Sequence, residues 1–309
     1  MLAGFMETWV VITFAAAFLQ NIRSAMQKHL KGVMGTTGAT FVRFGFGVPF
    51  ALFYLAVLWR GFGHPLPVPD ATFFLWAVIG GLAQIAATFL LVHLFSFRNF
   101  AVGTAYSRTE PAQAALFALL FLGEAASHGT VVAIAISVVG VMIISVARTE
   151  LSLTSLVTSV FTRTAGIGLL SGTFFGLSAV SYRSASLALA PSLPKPDFVM
   201  QASFTLGFVI LLQTAIMLAW ILIREPDELK RVMVAWRPGL LVGFAGASAS
   251  FGWFMAMTLQ QAAIVKVVAQ VEMLFTFASA VFIFREWINR LEVIGCLLIV
   301  LGVVMLLVF

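Results

Sequence analysis

Charge is what this sequence has least of. Only 10% of the 309 residues are Asp, Glu, Lys or Arg, against about 25% in an average soluble domain, and the mean hydropathy is +1.06. That shortage excludes a soluble globular fold, because the chain has too few polar groups to cover one. Cysteine is nearly missing as well. Cys296 stands alone, which excludes an intramolecular disulfide and any CxxC motif. The histidines, His29, His64, His93 and His128, form no HExxH pair, and no GxxxxGK[ST] phosphate loop occurs. Metal hydrolases and ATP-driven pumps lose their support, and no cofactor or enzymatic activity is expected. Acid–base work by intramembrane carboxylates is the one enzymatic alternative.

In place of charge there are apolar runs. Crossing a hydrocarbon core takes roughly 20 residues, and ten runs of that order follow one another: 8–28, 38–60, 73–95, 101–122, 128–147, 163–187, 197–222, 237–259, 263–284 and 289–308. In lipid such runs must be helices, because a helix satisfies its backbone polar groups within its own segment. The expected fold is therefore an all-α membrane protein of ten transmembrane helices. The first run has no basic n-region, carries Gln20 and Asn21 near its end, and is followed at once by another span, so it reads as a span and not as a cleaved leader.

A pI near 10 could suggest nucleic acid, but the basic residues sort by loop. Lys28, Lys31, Arg98, Arg148, Arg163, Arg224, Lys230, Arg231, Arg237, Arg285 and Arg290 fall on the face carrying loops 1–2, 3–4, 5–6, 7–8 and 9–10. Only Arg60 and Lys195 fall on the other face, with the termini. The positive-inside rule makes the first face cytoplasmic and puts both termini outside, in a bacterial inner (plasma) membrane. Nucleic acid is not an expected partner; membrane lipid is, and the chain can be a monomer or a homodimer.

The chain also repeats itself. A shift of 162 residues lays Ala101–Ser145 on Ala263–Leu307 without a gap, pairing Glu110 with Glu272, Glu124 with Glu286 and Gly140 with Gly302. The same shift pairs Gly81 with Gly243 and Phe89 with Phe251, and a shift of 160 pairs "RSA" at Arg23 with "RSA" at Arg183. Residues 1–150 and 164–309 thus read as two five-helix repeats joined by a connection at 151–163. Five is odd, so the copies point oppositely in the membrane. Inverted repeats are a signature of secondary transporters, whose sites lie near the midplane between the halves, although some channels share them.

Two five-span halves, a fourth span ending in "LGE" (Gly123, Glu124) with its counterpart at Arg285 and Glu286, and Gly-rich last spans ending "VVGVMIISV" and "IVLGVVMLLV" resemble the drug/metabolite transporter superfamily, EamA type. "ATFVRFGFGVPFALFYL" is similar to that family's second span. The resemblance implies a basket of ten helices around a central cavity, with the fifth and tenth spans peripheral. It also implies carriage of small metabolites, often export, without ATP. Many members place their termini inside, whereas the basic residues here argue for outside.

Glu110 and Glu272 are the charges that most need an explanation. A charge at mid-bilayer costs about 2.5–3.5 kcal/mol on insertion scales, so each must face protein or water. Their matching positions bring both carboxylates toward the pseudo-two-fold axis, as substrate contacts or proton sites; the alternative is a pair of structural ion pairs. Arg108 aligns with Gln270 and Lys266 with Thr104, giving each central helix a donor stripe. Glu110 lies two positions after Arg108, about 200° round an unbroken helix, so only one of the two would face a ligand. Pro111 can kink the fourth helix, but its counterpart Met273 shows no such requirement in the ninth.

Arg23 and Arg183 are read as cavity residues or as interfacial or helix-pairing anchors, and Arg43 similarly. Gln84 shares a face with Thr88, and Trp253 supplies an apolar cavity wall. Within the spans, Arg23, Arg43, Arg108, Arg183 and Lys266 outnumber Glu110 and Glu272, an excess that favours a substrate with an anionic group. A zwitterionic amino acid or related small acid suits both signs. A flippase for a lipid or lipid-linked substrate is the rival reading. The Pro-rich links "GHPLPVPD" and "APSLPKPD" are expected on one face, each ending in an Asp that caps the next helix. "REPDELKRVMVAWRP" is expected as an interfacial helix.

Overall fold

The computed structural model of the chain describes residues 7–97, 106–146, 161–278 and 289–308. The beginning of the fourth expected span, the end of the ninth with Arg285 and Glu286, and most of the 151–163 connection lie outside the described residues. Among the described residues there is no strand. The helices are α1 (Thr8–Leu30), α2 (Thr36–Gly45), α3 (Val48–Ala56), α4 (Ala71–Leu94), α5 (Glu110–Leu122), α6 (His128–Val146), α7 (Arg163–Ala188), α8 (Phe198–Arg224), α9 (Pro226–Val234), α10 (Trp236–Leu259), α11 (Ala262–Val268), α12 (Val271–Ala278) and α13 (Arg290–Val308). Seven helical stretches among the described residues are long and apolar enough to span a bilayer, so the chain is an integral membrane protein.

Three of the expected spans are not continuous helices. The second is α2 followed by α3, interrupted at Phe46 and Gly47 where Pro49 cannot donate its part of the hydrogen-bond ladder. The fourth is interrupted at Arg108 and Thr109 just before Pro111, and the ninth at Ala269 and Gln270 with no proline nearby. Both of these breaks tighten to i→i−3 bonds: Thr109 N–H donates to Tyr106 O and Ala112 N–H to Thr109 O, while Gln270 N–H donates to Val267 O and Glu272 N–H to Ala269 O. Under the 162-residue shift the two breaks fall within one residue of each other. The ninth span thus breaks without a proline, at Met273's side of the repeat, where the sequence showed no requirement for a kink.

The helix pairing is largely preserved when the halves are exchanged. α4 packs along α7 as α1 packs along α10; α5 against α7 as α12 and α11 against α1; α8 against α4 as α10 against α2 and α3. α6 packs on α13 and α5 on α11. Small residues let these backbones close. A Cβ on Gly243 would lie 2.4 Å from the carbonyl of Phe46, one on Gly252 2.9 Å from Ala16 Cβ, and one on Gly140 2.7 Å from Gly295 O. In lipid, where apolar faces gain nothing by leaving water, such close van der Waals approach is what holds helices together.

Both Pro-rich links end in the Asp caps that the sequence indicates. Asp70 Oδ1 accepts from Phe73 N–H at 2.8 Å, and Asp197 Oδ1 accepts from Val199 and Met200 N–H at 3.1 Å each, capping α4 and α8. Val68 N–H donates to Ser192 Oγ at 3.0 Å and His64 Nδ1 hydrogen-bonds Asp197, which holds the two Pro-rich links together on one side of the bundle. α9 buries Glu228 and Val232 while Met233 and Val234 stay exposed. Glu228 accepts from Gly35 N–H at 2.8 Å and from Arg231 at 2.6 Å, and Glu225 accepts from Thr37 Oγ1 at 3.1 Å, tying α9 to the start of α2.

Candidate functional site: a charged central cavity

The two helix breaks face each other across the centre of the bundle, and the charged groups gather there. Arg108 Nη1 lies 3.1 Å from Glu272 Oε2, with Nη2 3.5 Å from Oε1. Lys266 Nζ lies 2.7 Å from Glu110 Oε1. Each carboxylate therefore meets a cation from the other half of the chain. The pairing is not symmetric: Arg108 stands two positions before Glu110, Lys266 six before Glu272. Gln270, in the register of Arg108, donates instead to the Arg108 carbonyl at 3.4 Å.

Around these pairs is a cavity of about 50 Å³, lined among others by Gln20, Arg23, Arg43, Gln84, Arg108, Glu110, Tyr182, Trp253, Lys266 and Glu272. That volume holds roughly three or four waters, since one needs about 10–15 Å³ on this measure. Gln20 spans the site: its Nε2 donates to Glu272 Oε2 at 2.9 Å and its Oε1 accepts from Trp253 Nε1 at 3.0 Å. The Trp253 ring also lies 5.1 Å from Lys266 Nζ, a cation–π contact. A neutral wall is made by Tyr182 Oη donating to Gln84 Oε1 at 3.1 Å and Gln213 Nε2 donating to the same oxygen at 2.8 Å.

Of the nine residues named from sequence, Arg23, Gln84, Arg108, Glu110, Trp253, Lys266 and Glu272 line this cavity. Gln270 is buried beside it with Oε1 unpaired. Arg183 is elsewhere: its Nε donates to Glu124 Oε1 at 2.9 Å, and its Nη1 to Met257 O at 2.6 Å and Gln260 O at 2.7 Å. It closes the C-terminal end of α10 onto α7, assisted by the 2.6 Å hydrogen bond shared by Ser186 and Thr258. The "LGE" stretch explains the partner. Gly123 adopts a left-handed φ of 66°, its N–H bonds Leu119 O, and Glu124 N–H bonds Ala118 O, so α5 stops and Glu124 turns toward Arg183.

One sequence reading changes and another is narrowed. Arg108 and Glu110 both line the cavity, contrary to the 200° argument, because the turn at Arg108 and Thr109 interrupts the helix on which that angle was counted. Arg43, placed by sequence at the end of a span, is only 3% exposed, lines the cavity and donates from Nη1 to Thr88 Oγ1 at 2.8 Å. Its position near a predicted boundary hid it; the signal available was its place one turn before the "GFGVP" break that lets α2 bend inward.

Four cations and two carboxylates thus share one small cavity. Among the described residues no metal-binding cluster of His, Cys, Asp or Glu occurs. The arrangement can bind and orient a small ligand by charge and hydrogen bonding.

Comparison with known proteins agrees with this picture. The family model described as "EamA-like transporter family" matches residues 7–146 and again residues 162–308. A solved structure described only as "Crystal structure of protein" is similar over 96% of this chain and 96% of its own, at 17% identity and a TM-score of 0.68, which shows a shared fold. Among curated proteins none matches significantly.

Proposed function

The chain belongs to the EamA-like transporter family, and on that premise we propose that it is a secondary active transporter moving a small polar metabolite by alternating access. The substrate is a zwitterionic amino acid or a related small acid. The observation that carries the reading is the cavity itself: repeat-equivalent Glu110 and Glu272, each ion-paired to a cation of the opposite half, at two interrupted helices. Interrupted spans at the midplane, facing across an inverted repeat, are how transporters present polar groups within lipid. The exchange-invariant helix pairing supports ten spans in two inverted halves.

An asymmetry supports alternation. Arg183 bridges α7 to the end of α10, whereas its repeat counterpart Arg23 faces the cavity. Among the described residues one side of the pseudo-symmetric bundle is held by the Arg183 bonds while Arg23 makes no equivalent one, as a one-sided conformation requires. On the basic-residue distribution, the side with the two Pro-rich links is external. One of Glu110 and Glu272 is the proton-coupling position.

The test is a thermal-stability screen of the detergent-purified protein with a metabolite panel, on wild type, Glu272→Gln and Arg108→Ala. A water-soluble ligand whose stabilisation vanishes in both variants identifies the site. Stabilisation by lipids alone would favour a flippase and sink the metabolite reading. Transport by Glu110→Gln and Glu272→Gln with unchanged pH dependence would remove both from proton coupling.

A further inference from the structure

The cavity's cations are not equally engaged. Arg108 and Lys266 have carboxylates, whereas Arg23 and Arg43, each only 3% exposed, are ion-paired to none among the described residues. Arg23 donates to Ser24 Oγ at 3.3 Å and its Nε has no partner; Arg43 donates to Thr88 Oγ1. A guanidinium carries five N–H donors, so most donors of the two meet no protein acceptor among the described residues. The two stems run side by side past the notch at Gly246, where a Cβ would sit 3.3 Å from Arg43 Cγ and 3.4 Å from Arg23 Cδ. They come from α1 and α2, both in the first half of the chain, and both line the cavity wall that also carries Gln84, Ser178 and Tyr182.

Two adjacent, buried guanidiniums without an ion-pair partner among the described residues are unfavourable, in lipid more than anywhere. Neighbouring groups that could neutralise them are already committed: Glu272 to Arg108 and Gln20, Glu110 to Lys266. A planar fork of N–H donors is the geometry that binds carboxylate, phosphonate and phosphate oxygens bidentately. The structural motif is completed by an oxyanion entering from the cavity, and charge balance calls for two negative charges.

We propose that Arg23 and Arg43 together form an oxyanion subsite and that the transported substrate is a small organic dianion, its charged head held between the two guanidiniums. This rests on the transporter reading and narrows it: of the substrates the cavity could take, dianionic acids are preferred over monoanions and zwitterions. The neutral side chains of Tyr182 and Gln84 border the position where the remainder of a short carbon skeleton would lie. The size of the cavity limits that skeleton to a few carbons in this conformation.

The experiment uses the full-length protein in detergent micelles near neutral pH. Short dicarboxylates of two to five carbons and phosphonoacetate are compared with their mono-amides and, for the dicarboxylates, their diamides, at constant ionic strength, on wild type, Arg23→Gln, Arg43→Gln and Glu272→Gln. At least one dianion is expected to raise the melting temperature by several degrees, its mono-amide by less than half as much and any diamide not at all. Arg23→Gln and Arg43→Gln are each expected to abolish that rise while melting no lower than wild type without ligand. If a Gln variant does not purify, Arg23→Lys and Arg43→Lys replace it, with a rise reduced at least threefold expected from the lost fork. Equal stabilisation by dianion and mono-amide, or a rise that survives in both arginine variants, would overturn the proposal. Inorganic sulfate stabilising as strongly as every organic dianion would overturn it too, marking a counterion site. A zwitterion whose effect is lost in Glu272→Gln but kept in Arg43→Gln would overturn the dianion while leaving the transporter reading intact. No ligand effect sensitive to any of the three variants would count against both.

Discussion

Arg108 and Glu272, 164 positions apart, meet as an ion pair with Nη1 3.1 Å from Oε2, and in doing so fasten the first half of the chain to the second. Only 5% of the Glu272 side chain is exposed, against 27% of Arg108. Breaking the pair from the Arg108 side strands a buried carboxylate. Arg108→Met is expected to cost about 3 kcal/mol, the lower end for a broken buried pair, and Arg108→Met with Glu272→Met to recover most of it. Denaturant unfolding in micelles measures both; a double variant no more stable than the single would show that the pair is not coupled.

The approach of α10 to the α2–α3 break gives a second prediction. A Cβ on Gly243 would sit 2.4 Å from the backbone carbonyl of Phe46, which cannot rotate away, whereas one on Gly166 would meet nothing within 4 Å. Gly243→Ala is expected to destabilise the protein by roughly 1–3 kcal/mol through overpacking. Gly166→Ala is expected to be neutral or slightly stabilising. Melting temperatures of the two variants side by side test this, and the order must not reverse.

Arg183 serves three acceptors at once: Glu124 and the carbonyls of Met257 and Gln260. Lysine keeps the charge but lacks the fork. Arg183→Lys is expected to leave at least one carbonyl at the end of α10 without a donor, at about 1–3 kcal/mol. Hydrogen exchange should rise locally at the C-terminal turn of α10, near Thr258 and Leu259, and stay unchanged in α6 and α13; a uniform rise would show that Arg183 acts on the whole fold.

Acid sensitivity is expected at the side with the Pro-rich links. Burial alone would push the Asp197 carboxyl up, but hydrogen bonds from His64, Met200 N–H and Val199 N–H outweigh it and hold the group below the usual carboxylate range. A lowered folded-state pKa contributes stability that is present above the unfolded value of about 3.9. It is lost as pH falls through the lower folded value. The melting temperature is therefore expected to drop as pH is lowered from about 5 toward about 3, and Asp197→Asn to flatten that part of the curve. A variant with the wild-type slope would remove Asp197 as the cause.

Much of this protein was readable from its residues. Apolar runs located the helices that are described to within a few residues, because in lipid the backbone has no alternative to the helix. The Asp70 and Asp197 caps followed from end-of-helix chemistry, and the 162-residue register singled out Glu110 and Glu272, which line one cavity. Arg43 was underrated because exposure near a span end depends on how α2 bends. The angle between Arg108 and Glu110 misled because it assumed an unbroken helix.

What the sequence by itself determined was solvent, helix and repeat, all properties carried by neighbouring residues or by a fixed offset along the chain. What only the tertiary structure decided was which charge answers which: Glu272 with Arg108, Glu110 with Lys266, Glu124 with Arg183, and Arg23 and Arg43 with no carboxylate among the described residues. Those choices depend on two helix breaks and on glycine-scale approaches between distant segments. A pattern along one chain does not encode distances across it; packing fixes them, and the electrostatics follow.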